Sequence, residues 1–158
     1  MENIEALLDT DVLLNWLCKE VTPEGEVLWE SPYKILKKVE AGKVNLYTTI
    51  VNLMEIRFML RRRKKWNYSE IEKTLTDLQK INNFEVILPD ATDMITGFNL
   101  QSKYGLDSFD VVYLGISVRL PTLLVTRDKE FAKLANKAMK KEITFDPESF
   151  LRIIEAKN

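Results

Sequence analysis

Apolar residues run along this chain in two alternating rhythms. Compact apolar runs at "IEALL" (4–8), "KVNLYTT" (43–49), "FEVILP" (84–89) and "TLLVT" (122–126) predict strands, with "ITF" (143–145) as a briefer one. Between them, apolar positions spaced three and four apart predict helices. These cover Asp11 to about Cys18, 33–41 ending at Gly42, Val51 to about Lys65, Ser69 to about Lys80, and 91 to about Gly105. Two more cover Asp128 to Lys141 and the closing "PESFLRIIEA". "LDSFDVVYLGISVRL" (106–120) is apolar nearly all round, which predicts a buried helix, and Pro121 breaks it. On the helix from Val51, one stripe holds Val51, Met54, Glu55, Phe58 and Arg62, with Leu53, Ile56 and Leu60 beside it. Ser69 with Glu72, and Asn52 with Glu55, have the spacing of capping boxes. The polar stretch "KEVTPEGEVLWESP" (19–32) is expected to be a surface loop or insertion.

Strands alternating with helices imply a three-layer α/β/α sandwich around a mostly parallel sheet of about five strands. A chain of 158 residues, 46% apolar, suffices for one core, so residues 1–158 are expected to form a single domain. No run approaches the ~20 apolar residues of a membrane span, and residues 1–20 lack the layout of a signal peptide, so a cytoplasmic location is expected.

Composition narrows the chemistry. The chain has no His and one Cys, Cys18, which excludes Ser–His and Cys–His nucleophiles, His-liganded zinc and an internal disulfide. Cys18 reads as a small buried or half-buried hydrophobe. A net charge of −1 means that any contact with a polyanion must come from a local patch.

Acid chemistry must therefore run on carboxylates. In a parallel α/β sheet, ligands bind beyond the C-terminal strand ends. Asp9 and Asp11 follow the first strand, Glu55 lies early in the helix entered from the second, and Asp128 follows the fourth. Asp107 and Asp110 open the buried helix, three residues apart and so on one face. Carboxylates gathered at one edge repel and raise one another's pKa, and a bound Mg²⁺ or Mn²⁺ resolves this. Each acid also has a plainer role: Asp9 or Asp11 as N-cap of the first helix, Ser108 as a cap ahead of Asp110, and Asp128 as a cap of its own helix.

The motifs "LLDTDVLL", "TTIVNLMEIRFML", "GLDSFDVVYLGISVRL" and "LLVTRDKEF", in this order and spacing, resemble those of the PIN domain, close to the VapC-type ribonuclease toxins. The resemblance spans roughly residues 4–145 and implies metal-dependent endonucleolytic cleavage of RNA. It implies that Asp9, Glu55, Asp110 and Asp128 are the acidic quartet, with Asp9 and Asp110 as direct Mg²⁺ ligands. Asp11 stands where the family often has Asn and would orient the site or a water. Thr126 and Ser108 would support the ligands, and Asp107 is an extra acid that binds metal or merely caps. The family's toxins are held inactive by an antitoxin segment laid across the acidic groove, and dimers are common.

The run "RRRKKW", Arg61, Arg62, Arg63, Lys64, Lys65 and Trp66, is either a solvated helix end or a phosphate-binding surface with Trp66 for base stacking. Two other functions fit parts of the sequence. "LLDTDVLL" also resembles the first motif of haloacid-dehalogenase-type phosphatases, with Asp9 as nucleophile and Asp11 as general acid, but Glu55 has no role there. A PIN-fold module that binds RNA or protein without cutting is the other.

Overall fold

The structure is a computed structural model; it describes residues 3–105 and 110–157, and only the backbone of Asp110. Five strands, β1 (Ile4–Leu8), β2 (Val44–Thr49), β3 (Phe84–Ile87), β4 (Leu123–Val125) and β5 (Thr144–Phe145), form one sheet in the order β3-β2-β1-β4-β5. Every pairing is parallel. The chain winds outward from β1 through β2 to β3, then returns to add β4 and β5 on the other side. The winding thus reverses between β1 and β4, where parallel sheets open a crevice.

Side chains of a strand alternate between the two faces. Ile4, Ala6 and Leu8 of β1, with Val44 and Leu46 of β2, pack in one core against α1 (Thr10–Leu17), α2 (Glu30–Glu40), α3 (Ile50–Arg62), α4 (Tyr68–Leu78) and α8 (Pro147–Ala156). Leu7 and Leu124 face the other core, with α5 (Ala91–Tyr104), α6 (Asp110–Arg119) and α7 (Lys129–Met139). The expected α/β/α sandwich is therefore present, and none of the described helices is long and apolar enough to cross a membrane.

Several local expectations change. The cap of α3 is Thr49, whose hydroxyl accepts from Asn52 N–H while the Asn52 side chain accepts from Thr49 N–H; Asn52 is thus the third residue of the box, not its start. α4 is capped two residues earlier than expected, by Asn67 with Glu70, instead of Ser69 with Glu72. α3 carries two apolar rows and only one can face the sheet: Leu53, Ile56 and Leu60 are buried, while Met54 and Phe58 are exposed. Glu55 lies at the half-buried border between them, not on a buried stripe.

The 19–32 stretch is ordered. Val21 pairs antiparallel with Val27 across a turn closed by Thr22 and Gly25, whose φ of 89° suits glycine. The resulting finger is pinned at its base. Arg127 donates to the Leu28 carbonyl, to Asn15 and to both carboxylate oxygens of Glu148 at 2.7–2.9 Å.

Helix α6, which starts at Asp110, is set by a close crossing with α5. A methyl on Gly97 would stand 2.5 Å from the Val111 carbonyl oxygen, and one on Gly115 would collide with the carbonyl of Asp93. The pair is locked further by Arg119, which grips the buried Asp93 through both carboxylate oxygens at 2.7 and 2.8 Å. Gly115→Ala should lower the urea unfolding free energy by roughly 1–3 kcal/mol, the cost of overpacking. That loss outweighs the ~1 kcal/mol helix-propensity gain, and a midpoint equal to or above wild type would contradict the crossing described.

Candidate active site

The C-terminal ends of β1 and β4 place Asp9, Asp11 and Asp128 at one edge of the sheet, and Glu55 lies on the helix entered from β2. Asp9, directly after β1, occupies the N-cap position of α1 yet makes no side-chain cap bond. Its carboxylate turns instead across the reversal of the sheet, where Oδ2 accepts from the Thr126 hydroxyl at 2.7 Å. The strands are also joined there by Asp9 N–H donating to the Val125 carbonyl at 3.0 Å. Thr126 is buried, and its oxygen accepts from Asp128 N–H at 3.1 Å. Asp128 itself caps α7, accepting from Phe131 N–H at 2.9 Å, so its plainer role is real.

The electrostatics of the cleft are strained in one direction. Burial pushes the Asp9 carboxyl up to about 6, with the charge of Asp11 adding to the rise and hydrogen bonds from Thr126 and Tyr113 opposing it. Asp11 is also raised, by partial removal from water and then by the charges of Glu20 and Asp128, against the pull of Arg63. Asp9 thus feels the charge of Asp11, and Asp11 that of Asp128. Every donor in the set is an oxygen, which suits a hard divalent cation and not a soft one. Among the described residues, no three acidic or thiol side chains are close enough to hold an ion by themselves. Asp107 and Ser108 lie outside the described residues, as does the side chain of Asp110, whose backbone opens α6.

Glu55 enters the cleft from α3, with Oε2 accepting from the Thr10 hydroxyl at 2.7 Å. This bond belongs to a buried polar network that the sequence reading missed. Asn52 Nδ2 donates to Thr10 Oγ1 at 2.9 Å and also to the Tyr113 hydroxyl, while Tyr113 and Thr10 oxygens are 3.3 Å apart. Tyr113 is buried on α6 one turn beyond Asp110, its ring against Phe131 of α7. Burial, then the charge of Asp9, holds its phenol well above the usual range. The available signal was a lone phenol inside "VVYLGI" and an Asn one turn before Glu55.

The basic run does not form one surface. Lys64 is paired with Glu20 at 2.6 Å, and Arg63 faces Asp11. Arg61 lies 4.5 Å from the centre of the Tyr68 ring, which Arg57 approaches at 5.6 Å, and Arg62 lies 6.0 Å from Phe58. Lys65 is exposed. Trp66 is half-buried against the core, because its indole lines an apolar groove with Trp16, Leu36 and Leu78; Tyr68 is the exposed aromatic instead.

A family model for the PIN domain matches residues 6–137. No curated protein matches the sequence. Among solved structures, a chain of a toxin–antitoxin complex from Klebsiella pneumoniae is 20% identical with a TM-score of 0.64, covering 90% of this chain and 97% of that one. VapBC2 from Rickettsia felis, solved with a promoter DNA fragment, is 16% identical with a TM-score of 0.67, covering 90% and 98%. PAE2754 from Pyrobaculum aerophilum is 17% identical with a TM-score of 0.63, covering 97% and 96%. At these identities the likeness is one of fold.

The raised Asp9 carboxyl has a signed consequence for the metal-free protein. Its folded value of about 6 lies above the ordinary 3.8, so the folded state binds the extra proton between those values. Stability from this group is full below about pH 4 and is lost as pH rises through 6. Asp9→Asn removes the penalty. In EDTA, urea unfolding should find Asp9→Asn increasingly more stable than wild type from pH 4 to 7, by up to about 3 kcal/mol. A difference that stays constant with pH would show that Asp9 titrates normally.

Proposed function

Because this chain belongs to the PIN-domain family, whose members are generally nucleases, we propose that it is a Mg²⁺- or Mn²⁺-dependent endoribonuclease and the toxin of a VapBC-type pair. The observation that carries this reading is the Asp9 carboxylate, held at the sheet reversal within reach of the Asp11 charge and with no ion-pair partner among the described residues. Asp9 and Asp110 would hold the ion, with Glu55 and Asp128 completing the quartet. When bound, such a cation lowers the pKa of a water and neutralises phosphodiester charge.

The chain's own residues do the remaining work. Thr126 fixes the rotamer of Asp9 by donating to Oδ2, as an outer partner that orients a metal ligand would. Thr10 fixes Glu55 in the same way, leaving Oε1 to accept a proton from an attacking water. Asp128 is held at the α7 N-terminus by accepting from Phe131 N–H, which fixes where its carboxylate lies. Arg57, Arg61, Arg62 and Lys65, exposed along α3 and just beyond it, are the cations available to the RNA backbone, since Lys64 is paired.

The partners follow from the same reading. The fold is shared with chains crystallised in toxin–antitoxin complexes, which supports a cognate antitoxin as the inhibitor. The exposed Ile95 and Phe98 of α5 support self-association as a dimer. A cytoplasmic location fits an RNA substrate.

The test is cleavage of a structured RNA pool by purified protein with Mg²⁺ or Mn²⁺ against EDTA, with Asp110→Asn and Glu55→Gln in parallel. Metal-dependent cutting is expected, reduced at least about 100-fold by either substitution, since each removes a group acting on the reacting atoms. Absence of cutting with every metal, or cutting that survives in both variants, would leave a binding module as the better reading. In the same assay, Arg61→Glu with Arg62→Glu should raise KM and flatten the salt dependence of binding while leaving kcat within about threefold.

A further inference from the structure

The hydrogen-bond directions beneath the acids are fixed by counting protons. Asn52 Oδ1 accepts from Thr49 N–H at 3.1 Å and from the Thr49 hydroxyl at 2.6 Å. A backbone N–H can only donate, so the amide of Asn52 cannot flip, and Nδ2 must point the other way. Its two N–H bonds go to Thr10 Oγ1 and to the Tyr113 hydroxyl oxygen. Thr10 has one proton and gives it to Glu55. Tyr113 is therefore the donor wherever its hydroxyl meets Thr10 or the Asp9 carboxylate that it faces. All these groups except Glu55 and Asp9 are buried, so water cannot substitute for a missing member.

We propose that Asn52 and Tyr113 are positioning residues that hold the acidic site from beneath. One N–H of Asn52 sets the Thr10 hydroxyl and through it Glu55; the other sets the Tyr113 hydroxyl and through it Asp9. A single amide, itself locked by the N-cap of α3, thus fixes acids delivered by two different elements. Tyr113 adds a third element, because the same helix opens with Asp110 one turn earlier. What the positioned acids do rests on the nuclease reading; the arrangement of donors does not.

The test uses Tyr113→Phe, which removes only the hydroxyl, and Asn52→Asp, which keeps the shape but replaces both N–H donors with oxygen. In metal-free protein, nitrogen-15 spectra follow the two Asn52 amide protons, and calorimetry then measures Mn²⁺ binding. With Tyr113→Phe, one Asn52 proton should exchange at least about tenfold faster while the other is unchanged. Mn²⁺ affinity should fall on the order of tenfold, the effect of losing an outer partner of a metal ligand. In the RNA assay kcat should fall while KM holds. Asn52→Asp should weaken Mn²⁺ binding at least as much, and adding Tyr113→Phe to it should have no further effect.

A purely structural role would lower the unfolding midpoint yet leave Mn²⁺ affinity and kcat of the folded protein at wild-type values, and that result overturns the proposal. So does failure of both variants to fold where wild type is folded. If wild type neither binds Mn²⁺ nor cuts RNA, the nuclease reading fails by itself. The Asn52 protons then decide the positioning: selective release of one upholds it, and no change overturns it.

Discussion

The hydrogen bond from Thr126 to Asp9 joins β4 to β1 at the point where the winding of the sheet reverses, and the cleft takes its shape from that contact. It brings a carboxylate into a place that burial and Asp11 both make costly, and it offsets part of that cost by donating to the charged form. From the same hydroxyl oxygen, the Asp128 backbone is fixed as well. The acids are therefore tied to the sheet through neutral hydroxyls. Protein cations near the cleft are mostly engaged elsewhere: Lys64 with Glu20 and Arg127 with Glu148. The imbalance left at Asp9 is the property a hard cation would use.

Opposite this contact, the two cores have different tasks. The face covered by α1, α2, α3, α4 and α8 is a continuous set of aliphatic residues that holds the sheet. The face covered by α5, α6 and α7 has a glycine-mediated helix crossing, and it aims α6 at the cleft. Arg119 and Asp93 restrain that crossing at the far end of α6 from Asp110. The placement of the N-terminal end of α6 thus depends on backbone contact between two helices, where one added methyl is enough to move it.

Strand and helix order was legible because each run has a strong period: "IEALL" and "TLLVT" fall on β1 and β4 with little change at their ends. That Asp9 and Asp128 stand at neighbouring strand ends was legible because topology alone places them there. What failed was phase and partnership. On α3 two apolar rows compete, and composition cannot say that Leu53, Ile56 and Leu60 win over Met54 and Phe58. Asn52 looked like a cap because its spacing to Glu55 fits one, whereas Thr49 takes that place and turns the amide inward. Tyr113 was counted as apolar bulk, since nothing in a linear string shows that its hydroxyl meets residues 61 and 103 positions away. Trp66 was read by its neighbours in sequence, five cations, and not by the groove that holds it.

The pairing of Thr126 with Asp9 also has a consequence in time. The partners are 117 residues apart in sequence, and β1 cannot gain its β4 neighbour until almost the whole chain is available. Contacts of such separation form late, after the loop entropy between them has been overcome. During synthesis the β1–β2–β3 half and its helices precede β4, so the acidic edge is assembled only after β4 has been made. A nascent chain therefore carries Asp9 long before it carries the Thr126 hydroxyl that holds it, and the paired edge exists only once β4 has been made.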